Sequence, residues 1–339
     1  MTKVAFLIVA IAGALVPCGL TGCSLPGGVP GLGGTGGAGG QGTAAGTGGS
    51  EASGTGGTGA TGGTGGSSGG GAGGGDVCAR WKADRADMTE GAWTGAVASC
   101  SAGDMTAAAR ANVLRLVNLY RWLAALPPVD LDAALNVKDQ ACALMMRANN
   151  MLSHMPPGTW TCWTQSGADG AGSSNISTGQ AVGSVDSYMI DNGNATTIGH
   201  RRWILSNSLG PIGVGGTDRS SCMWTLNGKG EVGKVWMAWP ASGTIPLQAV
   251  LGARGQSLDT TGWTVQSDTI NLAGAQVAVT VDGVAQPVTV TQLDPNYGSR
   301  YALRFNPTGW TTQAGKTYSV AVTGIATPIS YTVQIVDCP

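Results

Sequence analysis

Residues 24–75 are almost entirely Gly, Thr, Ser and Ala, and this tract constrains the chain more than any other feature. Side chains this small bury too little apolar surface to offset the entropy of ordering the backbone, so an unstructured coil is expected. A Gly-rich coil of about 50 residues has an r.m.s. span of roughly 35–40 Å, which suits a stalk. No three-residue repeat persists, which argues against a collagen-like or silk-like structure. A folded core must therefore come from residues 76–339, enough chain for about two ordinary domains.

The segment before the tract reads as an export signal. Met1-Thr2-Lys3 gives a positively charged start, and Val4–Val16 is an almost unbroken apolar run. At about 13 residues the run fits the apolar region of a secretory signal, whereas a bilayer span needs about 20. Leu20-Thr21-Gly22-Cys23 then resembles the lipobox of bacterial lipoproteins. The resemblance implies removal of residues 1–22, a lipid on Cys23, and anchorage at a bacterial outer membrane or cell surface. The alternative is an ordinary signal peptide cut nearby, with Cys23 a plain thiol.

Cysteine parity agrees with the lipid. Of eight cysteines, Cys18 leaves with the signal and Cys23 carries the acyl group, so eight minus two leaves Cys78, Cys100, Cys142, Cys162, Cys222 and Cys338. An even set fits a disulfide framework in an oxidising compartment. No Cys-x-x-Cys pair occurs, which removes the usual signature of redox and zinc-finger motifs. Net charge is −1 and only 11% of residues are charged. No basic patch points to nucleic acid, and no polybasic run points to anionic lipid.

The folded part begins with an extension, 76–104, in which Cys78 and Cys100 flank a polar, Ala-rich stretch read as a short stapled helix. From Thr106 apolar residues recur at helical spacing (Val113, Leu116, Val117, Tyr120, Ala124) until Pro127-Pro128. Asp130 or Asp132 caps a second helix carrying Leu135, Cys142, Met145, Met146 and Leu152, which Pro156-Pro157 ends. Gly167–Ser174 reads as a Gly/Ser-rich loop, followed by a third helix with Val182, Val185 and Met189 inward. Strands are expected at Ile212–Gly215, Cys222–Leu226 and Val235–Trp239. Helices followed by strands give an α+β class.

Trp239-Pro240 marks a boundary, and no helical pattern follows Leu247. Alternating runs at Gln276–Val281, Val288–Leu293, Arg300–Phe305, Tyr318–Val322 and Tyr331–Val336, with a hairpin turn at Asp282-Gly283, read as a β-sandwich over 241–339. Gly315–Gly324 resembles a late strand of an immunoglobulin-like or fibronectin-like domain, a likeness of fold that carries no chemistry.

The only two histidines lie in the most specific motifs. They are Ser153-His154 and Gly199-His200-Arg201-Arg202-Trp203-Ile204-Leu205, the latter leading into Ile212-Gly213-Val214-Gly215. With Asn118-Leu119-Tyr120-Arg121 upstream, four motifs stand in the order and spacing of one family. Residues 105–240 resemble the CAP superfamily, the SCP-like or cysteine-rich secretory and pathogenesis-related proteins. The resemblance implies a CAP-type α-β-α sandwich whose cavity is lined by two histidines and two acids and, in some members, holds a divalent metal.

Carried over, His154 and His200 occupy the histidine positions, and Asp191, three residues after Tyr188, matches an acidic one. Ser173-Ser174-Asn175-Ile176 stands where the family has Gly-Glu-Asn-Ile, so Ser174 replaces a glutamate. Cavity candidates are thus His154, Ser174, Asp191 and His200. His154, Asp191 and His200 are the candidate ligands of zinc or magnesium, with water at an open position. Each has a plainer reading: His154 at a helix C-terminus, His200 orienting a turn, Asp191 a solvated helix end. Arg201 and Arg202 read as solvated or paired with surface acids. Ser174 sits in no Gly-x-Ser-x-Gly elbow, which argues against a serine hydrolase.

Six cysteines allow 15 connectivities; the expected pairs are Cys142–Cys162 near His154, Cys78–Cys100 as a local staple, and Cys222–Cys338 tying the C-terminus back. Functionally, the resemblance points to a non-enzymatic surface module that presents a groove to a small ligand, lipid or cell-wall component, with the immunoglobulin-like part as spacer or adhesion platform. The alternative is a divalent-metal-dependent hydrolase acting on peptide or cell-envelope substrates.

Overall fold

The first ordered helix, α1 (Gly74–Asp84), precedes two long ones, α2 (Ala107–Leu123) and α3 (Ala133–Asn149). These coordinates are a computed structural model that describes residues 74–226 and 228–339. The expected signal segment, the expected lipid site Cys23 and residues 24–73 of the expected stalk lie outside the described residues, and α1 takes in the last two stalk positions. Both long helices begin at side-chain caps. Thr106 Oγ1 accepts from the Ala109 N–H at 3.2 Å, and Asp132 Oδ1 accepts from Ala134 and Leu135 at 2.7 and 3.1 Å. Each cap satisfies N–H groups that have no partner within the helix. Asn150 ends α3 in the left-handed region, so His154 lies past the helix in a loop rather than on its last turn.

A short helix, α4 (Gln165–Ser173), follows, and runs directly into strand β1 (Ser174–Ser177). This corrects the reading of Gly167–Ser174 as a loop. Its glycines serve contact: a Cβ on Gly170 would stand 2.6 Å from the Lys138 carbonyl, so only glycine lets α4 lie this close to α3. Thr164 Oγ1 caps it by accepting from the Gly167 N–H at 3.0 Å. Then come α5 (Ala181–Ile190), α6 (Gly199–Ile204), β2 (Val214–Gly216) and β3 (Ser221–Trp224). The strands form an antiparallel sheet in the order β1-β3-β2. Helices α3 and α4 cover one side of this sheet, and α2 and α5 pack together on the other. The result is an α-β-α layering.

The C-terminal part holds β4 (Met237–Trp239), β5 (Gly243–Pro246), α7 (Leu258–Thr261), β6 (Trp263–Ser267), β7 (Gln276–Val281), β8 (Val284–Gln286), β9 (Val288–Gln292), β10 (Tyr301–Pro307), β11 (Thr317–Thr323) and β12 (Ile329–Val336). They build two sheets, ordered β4-β6-β10-β9 and β5-β12-β11-β7-β8. Neighbours are antiparallel except β12 and β5, which run parallel. Burial alternates along β12, with Ile329, Tyr331, Val333 and Ile335 inside, the period-two pattern of a half-buried strand. The sheets face each other: the Trp263 ring of β6 stands 5.4 Å from that of Tyr318 on β11.

Strand β4 was expected to belong with the N-terminal strands, but it pairs with β6. One large hydrophobic cluster runs from Trp81 through α2 and α5 to Ile335, with a smaller one between α3, α4 and the β1–β3 strands. The short α7, with a reciprocal Ser257/Thr260 capping box, interrupts the stretch read as free of helix.

The six cysteines pair as Cys78–Cys338, Cys100–Cys162 and Cys142–Cys222, so all three expected pairings are corrected. Cys142 is fully buried on the sheet-facing side of α3, where β3 brings Cys222. Nearness along the chain favoured Cys162, but tertiary packing chose otherwise. Cys78–Cys338 joins α1 to the end of the chain across a separation of 260 residues.

Candidate functional site

The helix α5 ends on Asp191, whose backbone is left-handed with φ of 57°. That turn places the carboxylate beneath α6, where it is fully shielded from solvent. Asp191 Oδ1 accepts from His200 Nδ1 at 2.8 Å and from Asn194 Nδ2 at 2.6 Å, while Oδ2 accepts from the Arg201 N–H at 3.3 Å. A carboxylate oxygen can only accept, so the contact with Asp191 places the His200 proton on Nδ1 and leaves Nε2 as the free ring nitrogen, although Asn194 Nδ2 also lies 2.9 Å from Nδ1. The Tyr188 ring lies 4.9 Å from the imidazole and steadies it. His154 is oriented the same way: its Nδ1 donates to the Ala171 carbonyl at 2.8 Å, again freeing Nε2.

Both imidazoles line one cavity of about 300 Å³, with Asn175, Asn194, Tyr297 and Trp203 among its other walls. Asn175 Nδ2 donates to the His200 carbonyl at 3.1 Å, and Asn194 donates to Asp191. Among the described residues nothing donates to the amide oxygens of these two asparagines or to either Nε2. Four of the lining residues thus carry an acceptor with no protein donor, while Trp203 and Tyr297 add an indole N–H and a phenol hydroxyl. Among the described residues, no Lys, Arg, Asp or Glu lines the cavity.

Asp191 thus partners His200 and is not a third donor facing the cavity. Among the described residues no group of three His, Cys, Asp or Glu is placed to hold a metal ion. A zinc or magnesium site built from His154, Asp191 and His200 does not fit this arrangement, since both Asp191 oxygens already accept protein hydrogens. Ser174 also lies apart from the cavity. It is fully buried, and its Oγ donates to Asp139 Oδ1 at 2.8 Å, while the Trp224 N–H donates to Oδ2 at 2.8 Å. Burial pushes the Asp139 carboxyl up to about 7, against the pull of these hydrogen bonds. A glutamate at position 174 would set a second carboxyl beside this one; serine supplies a donor instead.

The arginines beside His200 are not solvated. Arg201 is fully buried and donates to the carbonyls of Met189, Ile190 and Gly262 at 2.6, 2.8 and 2.7 Å, and to Thr261 Oγ1 at 3.0 Å. Arg202, also buried, donates to the carbonyls of Thr197, Asp294 and Ser299 at 2.9, 2.8 and 3.1 Å. Burial lowers both guanidinium groups to about 10, so both stay charged at neutral pH. They bolt the His200 segment to the C-terminal sheets. Asn118 and Arg121 are likewise structural: Asn118 exchanges two hydrogen bonds of 2.9 Å with Val129, and Arg121 donates to Pro127 and Ile204 carbonyls at 2.8 Å.

Tyr297, Asn194 and Trp203 escaped the sequence reading. Asn194 carried a signal, as a polar residue between Asp191 and His200, but Tyr297 reaches the cavity from a loop of the C-terminal part and had none. The family model of the cysteine-rich secretory protein family, CAP, matches residues 114–224, a span from α2 through β3 that contains His154, Asp191 and His200. No curated protein and no solved structure matches the chain. The family match and the α-β-α layering of the same residues together support a CAP domain in this chain.

Proposed function

We propose that this chain is an exported, lipid-anchored surface protein whose CAP domain binds a neutral, hydroxyl-bearing ligand about the size of one sugar ring, as cell-envelope glycans present. The lipobox-like Leu20–Cys23 and the even cysteine count that remains support the anchor. The CAP match and the three disulfides fit an extracellular protein. The two facing C-terminal sheets are read as an immunoglobulin-like sandwich, on their strand alternation and shared aromatic core.

The ligand class rests on one observation: a lining of unpaired imidazole and amide acceptors beside two aromatic rings, with no Lys, Arg, Asp or Glu among the described residues. A phosphate or carboxylate would lose its hydration there without a Lys or Arg to pair with. An acyl chain would strip water from the imidazoles and amides and give nothing back. Hydroxyls can donate to the two Nε2 atoms and the asparagine oxygens, while a sugar's C–H face packs on aromatic rings. A volume of about 300 Å³ lies at the small end of ligand pockets.

The test is titration with N-acetylglucosamine and its short oligomers, followed through the two imidazole side chains by ¹H–¹⁵N NMR. Both rings are expected to shift along one isotherm, which is lost in the His154→Ala/His200→Ala variant. Response to tetramethylammonium or inorganic phosphate, with none to the sugars, would refute the neutral-ligand reading.

A further inference from the structure

The loop between β9 and β10 is tied to the His200 segment at every turn. The Asp294 N–H donates to the Thr196 carbonyl at 2.8 Å, and Arg202 reaches back to the Asp294 and Ser299 carbonyls. The loop closes on itself through the Asn296 N–H and the Ser299 carbonyl, 3.0 Å apart. Gly298, at φ of 68°, lies so close to Arg202 that a Cβ would come within 2.3 Å of its carbonyl oxygen. Beneath the loop Ile198, Leu293 and Ala302 form a small apolar cluster of their own.

At the apex stands Tyr297. The residue is 40% exposed and lines the cavity. A Cβ on Gly199, beside His200, would meet its Cδ1 at 3.1 Å, and the Arg202 guanidinium lies 5.9 Å from its centroid. A large ring left open to solvent yet fixed on a bolted loop serves contact with a ligand better than it serves the core. A loop that merely connected β9 to β10 would need neither the buried guanidinium nor the close approach at Gly298.

We infer that the Asp294–Ser299 loop is a wall of the binding site, and that Tyr297 is a selectivity-determining residue that packs on the ligand's C–H face. The C-terminal part then contributes Tyr297 to the recognition surface, where the sequence suggested a spacer or adhesion platform. This rests on the ligand reading above for the nature of the ligand, but its claim about the wall stands apart from it.

Two readouts in the full chain test it. Diethyl pyrocarbonate acylates the free nitrogen of a neutral imidazole, and peptide mass mapping reports His154 and His200 separately. Tyr297→Ala is expected to raise the His200 acylation rate several-fold with a smaller change at His154, and Tyr297→Phe to leave both rates near wild type. With N-acetylglucosamine as probe, Tyr297→Ala is expected to weaken binding roughly tenfold while Tyr297→Phe retains it. An unchanged His200 rate in Tyr297→Ala overturns the wall, whatever the sugar does. Faster acylation without sugar binding to the wild type leaves the wall standing and removes the glycan reading. Faster acylation with equal sugar affinity in wild type and Tyr297→Ala overturns the selectivity role.

Discussion

Replacing Asp139 by asparagine tests whether a buried carboxyl makes this fold sensitive to pH. Asp139 is wholly shielded, and its partners are the Ser174 hydroxyl and the Trp224 N–H, each at 2.8 Å. Burial raises the carboxyl from 3.8 to about 7. A folded value above the unfolded one means that the neutral acid's stabilisation is complete below pH 3.8 and is lost as pH rises through about 7. At about 1.4 kcal/mol per pH unit, that interval amounts to roughly 4 kcal/mol. Asparagine keeps the shape: its carbonyl accepts from Trp224, and its amide donates to Ser174, whose hydroxyl can rotate to accept. The assay is urea denaturation of both proteins from pH 4 to pH 8. Groups that titrate alike in both proteins cancel in the difference. Whatever offset separates them at pH 4, Asp139→Asn should gain roughly 4 kcal/mol on wild type by pH 8. A difference that stays constant across this range would refute the reasoning.

Two further outcomes follow from the buried framework. Arg201→Met keeps much of the side-chain volume but leaves the carbonyls of Met189, Ile190 and Gly262 without their donor, so it should destabilise by roughly 3–5 kcal/mol in chemical denaturation. The double variant Cys78→Ser/Cys338→Ser opens the bridge across 260 residues and should cost about 2–5 kcal/mol, read as a Tm lowered against the fully oxidised wild type.

The long helices α2 and α3 were legible because their apolar residues recur at helical spacing and their caps, Thr106 and Asp132, are residues that accept backbone N–H bonds. The strands of the C-terminal part were legible through period-two alternation and the Asp282-Gly283 turn. What escaped depends on contacts between distant segments. Gly170 reads as flexible until α3 is seen lying against it. Arg201 and Arg202 read as surface charges because nothing local reveals the ring of backbone carbonyls that receives them. Asp139 belongs to an amphipathic helix and looks solvated, but β1 and β3 cover it. The cysteine partners are set by sheet packing, which chain proximity does not report.

The same limit applies to the site. Motif position brought His154 and His200 forward, and both line the cavity. It could not tell that Asp191 lies behind His200, that Ser174 turns to Asp139, or that Tyr297 arrives from the other half of the molecule.

The most direct test uses the fact that the chain has only two histidines. Long-range ¹H–¹⁵N correlation spectra of the imidazoles, recorded at a pH where both are neutral, report which ring nitrogen carries the proton. Both rings are expected to be Nδ1–H tautomers, His200 held by Asp191 and His154 by the Ala171 carbonyl, each with Nε2 free and each Nε2 shifting on addition of N-acetylglucosamine. Asp191→Asn should release the His200 tautomer alone. A neutral Nε2–H form at either histidine, or Nε2 signals that ignore the sugar, would contradict the acceptor-lined cavity on which the proposed function stands.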